Sequence, residues 1–191
     1  ALTAREALVI VDHHGAGHFL ALRLAGLLRL MVDSSAVIVS AVQGSVFGGG
    51  CGLVCASDYT VASADARFCF SEAKLGLVPA VISPHVLAKI GPSQTRALFT
   101  TAMVFGAERA ERIGLVHEVV LGERLIERAW QVVEAVLSNG PSAAAKSKQV
   151  ALSPPMTDEE SATLLAERRA SAEGQEGMSA FLDKRKPKWV K

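Results

Sequence analysis

The chain has 191 residues, half of them apolar and a fifth charged, and its 20 basic and 19 acidic side chains leave a net charge of +1. That length suits one domain, the apolar content excludes intrinsic disorder, and the balanced charge excludes a global field for nucleic acid or an anionic membrane. An aromatic share of 5% also excludes a stacking platform for single-stranded nucleic acid. Cys51, Cys55 and Cys69 lack zinc-ligand or dithiol spacing, so reduced thiols in a cytoplasmic protein are expected. No run reaches the length of a membrane span, and the first residues lack the grammar of a signal peptide.

In chain order, the apolar run Ala7–Val11 predicts a buried strand, and Asp12–Gly17 a loop. Phe19–Val32 reads as a helix with Leu20, Leu24, Leu27, Leu28 and Met31 along one stripe. Val37–Val42 is a second buried strand, Gln43–Gly50 a glycine-rich turn, and Gly50–Ser57 a short helix. Tyr59–Ala62 and Arg67–Phe70 read as strands. Two helices, Pro84–Ile90 and Ser93–Thr100, are separated by Gly91-Pro92. Ala107–Arg112 is a helix closed by Gly114, and Val116–Val120 a brief strand. Beyond Gly122 the pattern is wholly helical: Glu123–Leu137, Ser142–Leu152, a helix opened by the capping-box pair Thr157 and Glu160, and Gly174–Leu182 before a basic tail. The expected organisation is a strand–helix core over 1–121 and a helical region over 122–191.

Two stretches can carry chemistry. In Val42–Gly52, a buried strand enters a turn holding Gly44, Gly48, Gly49, Gly50 and Gly52, and a helix leaves it. Glycine lets a ligand approach the backbone, and the free N–H groups of a helix start favour an oxyanion or a phosphate. The spacing fits neither G-x-G-x-x-G nor G-x-x-x-x-G-K, and tight packing alone is the plainer account of such a turn. In the second stretch, Glu72 lies between two apolar runs, where desolvation raises a carboxyl pKa toward general acid/base work. The plainer account there is a surface glutamate paired with Lys74.

Three segments then resemble the crotonase (enoyl-CoA hydratase/isomerase) superfamily: Ala41-Val-Gln-Gly-Ser-Val-Phe-Gly-Gly-Gly-Cys-Gly-Leu53, Ala66-Arg-Phe-Cys-Phe-Ser-Glu-Ala-Lys-Leu-Gly-Leu-Val-Pro79, and Gly106–Val120. The likeness runs from about Ala36 to Val120 and resumes in Gln175–Pro187. It implies an α/β crotonase-type spiral of ββα turns with a helical C-terminal trimerisation region, as a homotrimer or a hexamer built as a dimer of trimers. It also implies an acyl-CoA thioester substrate, with coenzyme A as part of the substrate and no separate cofactor; from charge, run length and ligand spacing, no nucleic-acid, membrane or metal partner is expected. Gly49 would give one of two N–H groups that hold the thioester oxygen, and Glu72 would be the catalytic carboxylate. Ala21, Gly48, Gly52, Pro79 and His85 are the expected substrate-binding positions.

The sequence departs from the family in two places. Two-glutamate hydratases carry an acid three residues after the oxyanion glycine, where this chain has Gly52. The segment that gives the second oxyanion N–H is not recognisable before Gly48; His18–Leu24 is its nearest counterpart, with Ala21 as donor. The N-terminal part is expected to be shortened. Similarity of Ser71–Pro84 to methylglutaconyl-CoA hydratases favours hydration of a branched or carboxylated enoyl-CoA. A single-glutamate isomerase and a catalytically incompetent binding protein are the alternatives. His85 either orients a polar substrate group or is hydrogen-bonded in the core. His14 and His18, one helical turn apart, lack further ligands at metal spacing.

Overall fold

The computed structural model describes residues 18–190. The expected strand Ala7–Val11, the loop after it, and His13 and His14 lie outside these residues. Helix α1 (His18–Asp33) leads into β1 (Val39–Val42), β2 (Ser45–Phe47), α2 (Gly49–Ala56), β3 (Tyr59–Ser63) and β4 (Arg67–Cys69). A 3-10 turn at Glu72–Leu75 precedes α3 (Ser83–Thr101), β5 (Phe105–Gly106), α4 (Ala107–Arg112) and β6 (Glu118–Val120). The C-terminal part holds α5 (Leu125–Leu137), α6 (Pro141–Leu152), α7 (Asp158–Ala170) and α8 (Ala172–Leu182). Among the described residues, no helix is long and apolar enough to cross a membrane.

The strands form two small sheets, ordered β1-β3-β6 and β2-β4-β5, with parallel pairing except between β4 and β5. The first sheet is covered on both faces, as a parallel sheet requires. Side chains alternate along a strand, so Val39 and Val61 pack on Leu125, Ala129 and Val132 of α5. Val42 and Ala62 face the larger core with Leu28, Leu53, Ile82 and Val86. Helix α2 is buried from Cys51 through Ala56, which explains its almost purely apolar sequence.

Several sequence expectations need correction. Gln43–Gly50 is not one turn: Ser45–Phe47 form a strand whose backbone groups pair in parallel with Arg67–Cys69. Within α1 the buried stripe omits Leu27, which is 40% exposed, while Leu28 and Met31 are buried. The expected break at Gly91 stands: Gly91, at φ 70° and ψ 168°, is outside the helical region and with Pro92 divides α3 into two helical segments. Residues 122–124 form a separate 3-10 turn before α5.

Buried and half-buried ion pairs join the helical region to the core. Lys148 of α6, nearly inaccessible, donates to Met31 O at 2.8 Å and Ala36 O at 3.0 Å and pairs with Asp58 Oδ2 at 2.8 Å. These three acceptors match the three protons of an ammonium group. Glu173 of α8 caps the start of α6, accepting from the Ser142 and Ala143 N–H groups at 2.9 and 2.7 Å.

The basic tail is tied down rather than free. Arg185 donates to both Glu176 oxygens, at 2.6 and 3.2 Å, the Lys188 N–H donates to Oε1, and Trp189 Nε1 donates to Ser138 O. The Arg185 hydrogen bonds hold the Glu176 carboxyl down to about 2. A free glutamate titrates near about 4.3, and a depressed carboxyl stabilises only while it is ionised. The contribution of Glu176 to tail docking is therefore fully present above about pH 4.3 and is lost as the pH falls toward about 2. In a Trp130→Phe background, Trp189 fluorescence should report this transition, and Glu176→Ala should give the undocked signal at neutral pH.

Candidate active site

The parallel ladder between β2 and β4 builds the site. It pairs Phe47 with Cys69, and the Gly48 N–H donates to Cys69 O at 2.9 Å. The two chain segments that leave this ladder are therefore adjacent: the start of α2 from one, Ser71 and Glu72 from the other. Gly48 has φ 50° and ψ −118°, a backbone conformation that suits glycine. A Cβ there would lie 3.4 Å from Glu72 Oε1 and 3.6 Å from Ser71 Oγ. The missing side chain lets the carboxylate rest on the backbone.

Glu72 is half-buried, and its Oε2 is buried without a hydrogen-bond partner among the described residues. Burial raises its pKa above the usual carboxylate range, opposed only by a hydrogen bond from its own backbone. It does not form the surface pair with Lys74 that the plainer reading expects: no such ion pair occurs among the described residues. Glu72 and Gly49 open onto one cavity of about 220 Å³, whose remaining lining is apolar and includes Ala21, Leu24, Pro79 and Ile82. Gly49 is the first residue of α2, where backbone N–H groups lack intrahelical acceptors and carry partial positive charge. One wall thus offers a proton-transfer group and another an electrostatic partner for developing negative charge.

The structure brings together Glu72, Gly49, Ala21 and Pro79, with Gly48 as the platform beneath Glu72. It leaves out two expected positions. His85 is not among the residues that line the cavity; burial, and secondarily the Arg29 charge, lowers its pKa, opposed by Asp33. Gly52 is buried in α2 beneath Ile82 and Leu28. Leu20, Leu24, Val78, Ala80, Val81 and Ile82 were not singled out from the sequence. The i, i+4 spacing of Leu20 and Leu24, and the apolar run around Pro79, are the signals that mark some of them. Among the described residues, no group of three His, Cys, Asp or Glu side chains is placed to hold a metal.

The sequence profile of the enoyl-CoA hydratase/isomerase family matches residues 17–191. Crotonyl-CoA hydratase of Syntrophomonas wolfei is 33% identical over 168 residues, covering 85% of this chain and 65% of that protein. Short-chain-enoyl-CoA hydratase of Clostridium acetobutylicum is 35% identical over 156 residues, covering 78% and 59%. Among solved structures, an enoyl-CoA hydratase from Shewanella pealeana superposes with a TM-score of 0.83 at 36% identity, over 88% of this chain and 65% of that one. Pseudomonas aeruginosa AtuE gives 0.84 at 36% identity, over 93% and 72%. The chain has the crotonase fold. It belongs to the enoyl-CoA hydratase/isomerase family, and it spans less than two thirds of the length of these two curated relatives.

Gly52 sets a packing constraint that can be tested. A Cβ at this position would lie 2.4 Å from Ile82 Cγ2 and 3.3 Å from Leu28 Cδ1, all within the core. Replacing a helical glycine by alanine ordinarily gains about 0.5–1 kcal/mol, but overpacking a filled core costs about 1–3 kcal/mol. The clash wins, so Gly52→Ala should lower stability in denaturant titrations. Ile82→Ala should relieve it, giving the double variant a coupling of about 0.5–3 kcal/mol.

Proposed function

We propose that the chain is the acyl-CoA-binding core of an enzyme that adds water across the double bond of a short enoyl-CoA thioester. The observation that carries this reading is Glu72: it is the cavity's one ionisable lining residue among those described, desolvated, with a buried unpaired oxygen. Its carboxylate takes a proton from water as the oxygen attacks the β-carbon. The thioester then carries enolate character, and its oxygen accepts from the Gly49 N–H. Protonated Glu72 returns the proton to the α-carbon, so one carboxylate closes the cycle. Ala21, in the first turn of α1 and lining the cavity, is the position for a second donor.

The apolar lining supports an uncharged short acyl group. A branched chain fits this wall chemically, whereas a second substrate carboxylate meets no lysine, arginine or histidine among the described lining residues. Isomerisation is the second reading, favoured by the buried, acid-free position of Gly52. There Glu72 would move a proton between the α- and γ-carbons. Three buried free cysteines support a reducing, cytoplasmic setting.

With crotonyl-CoA, the full-length protein should consume the conjugated enoyl absorbance, and Glu72→Gln should slow this by about 10²–10⁴-fold, the range for loss of a positioned acid/base. Because water activation needs ionised Glu72, activity should fall on the acid side through a pKa above the usual carboxylate range. Conjugation gained from the β,γ-unsaturated isomer, without hydration, would instead establish the isomerase. Coenzyme A binding with neither reaction would leave a binding protein.

Self-association through the helical region belongs to the same reading. Helix α7 buries none of its residues, and Leu165, Phe181 and Leu182 stand 69%, 82% and 77% exposed. Such an apolar surface is expected against other copies of the chain, as a homotrimer or a dimer of trimers. Light scattering should show the oligomer, and the Phe181→Glu, Leu182→Glu double variant should shift it toward monomer.

A further inference from the structure

The end of α2 remote from Gly49 carries a second group of polar side chains that the proposed reaction does not use. Helix α2 has 8 residues, so its two ends are separated by about 12 Å. At the far end, Lys89 Nζ of α3 lies 3.1 Å from Ser57 O and 3.4 Å from His117 Nε2.

The imidazole of His117 is held in one orientation. Its Nδ1 accepts from the Thr60 N–H at 2.9 Å, while its own backbone N–H donates to Thr60 O at 3.0 Å. Its ring stacks on Tyr59 with centroids 4.7 Å apart. A backbone N–H can only donate, so Nδ1 carries no proton and the neutral ring bears its hydrogen on Nε2. That Nε2–H points at the Lys89 nitrogen. An ammonium group has no lone pair to receive it, whereas a neutral amine does.

The Ser57 carbonyl accepts from an amine or an ammonium alike, and among the described residues no carboxylate forms an ion pair with Lys89. The nearby Asp58 carboxylate is engaged by Lys148 at 2.8 Å and by the Ile38 N–H at 2.7 Å. The Cys55 thiol is pushed up to about 12 by burial and is therefore neutral. We propose that Lys89 is a site of covalent acylation by small acyl thioesters, its amine aligned by the Nε2–H of His117. Burial also lowers the Lys89 pKa, against the opposing effects of Cys55 and Asp58.

In the reaction, the amine nitrogen attacks the thioester carbonyl carbon. The new C–N bond replaces the C–S bond, and the thiol leaves with the proton lost by nitrogen. The products are an amide on Lys89 and a free thiol, with no oxidant or reductant required. The site is independent of Glu72 and of the proposed hydration.

Acetyl-CoA is the probe, with each lysine followed by peptide mass spectrometry on the intact folded chain. Lys89 should be acetylated faster near neutral pH than the exposed Lys74, Lys146, Lys184 and Lys186. Its rate should also level off at lower pH than theirs. His117→Asn keeps an acceptor for the Thr60 N–H but removes the donor to Lys89. A neutral hydrogen bond of ordinary net strength corresponds to about a fivefold change in an equilibrium, so this variant should slow Lys89 by about that factor and leave the other lysines unchanged. Glu72→Gln should acetylate at the wild-type rate. Lys89 reacting no faster than the exposed lysines would overturn the proposal, as would a pH profile matching theirs. Loss of Lys89 acetylation in Glu72→Gln would overturn it too, by placing acyl transfer in the cavity. Should His117→Asn fail to fold, the wild-type pH profile decides alone.

Discussion

The parallel pairing of β2 with β4 is the constraint from which the rest of the site follows. Each is three residues long, too short to be stable alone. Their ladder nevertheless sets the positions of both chain segments that leave it. One becomes α2, whose first residue, Gly49, lines the cavity; the other becomes the turn that carries Glu72. Because Gly48 N–H extends the ladder to Cys69, a shift of register would separate the glycine platform from the carboxylate it supports. The polar chemistry thus depends on backbone hydrogen bonds made several residues earlier in each segment.

This dependence explains what could be read from sequence. The glycine run after an apolar strand and the carboxylate between apolar runs were legible because each has a local signature: backbone freedom in one case, desolvation in the other. The short strand Ser45–Phe47 was hidden among glycines, since three residues give little periodicity and its partner is remote in sequence. His85 was misplaced for a related reason. Following Pro84 near an apolar pocket wall is a one-dimensional fact, whereas the direction of a helical side chain depends on the phase of α3 against α1. Gly52 was legible as the absence of an acid, but not as a contact with Ile82, because that contact crosses from α2 to the segment before α3.

The helical region shows how a core with little polar surface holds its neighbours in place. Lys148 reaches through α6 to the carbonyls of Met31 and Ala36 and to Asp58. A lysine this buried is tolerable because every ammonium proton has an acceptor and the charge has a counter-ion. Asp58 accepts at the same time from Ile38 N–H, just before β1. The one carboxylate therefore connects α6, the approach to β1 and the end of α2. Its Oδ2 is shared by Lys148 and the Ile38 N–H while its charge still acts on Lys89, so the structural ion pair and the neighbouring amine are electrostatically coupled.

Gly52 and Glu72 together bear on what the cavity can do. A side chain at Gly52 would have to displace Ile82, which is itself 2% exposed and lines the cavity. An acid there would put a charge among Ile82 and Leu28 in the apolar core, at a desolvation cost. The apolar wall avoids that cost and keeps the cavity narrow. Among the described lining residues Glu72 is the one carboxylate, so in the proposed hydration, as in the alternative isomerisation, a proton taken by Glu72 would return from the same side of the acyl group.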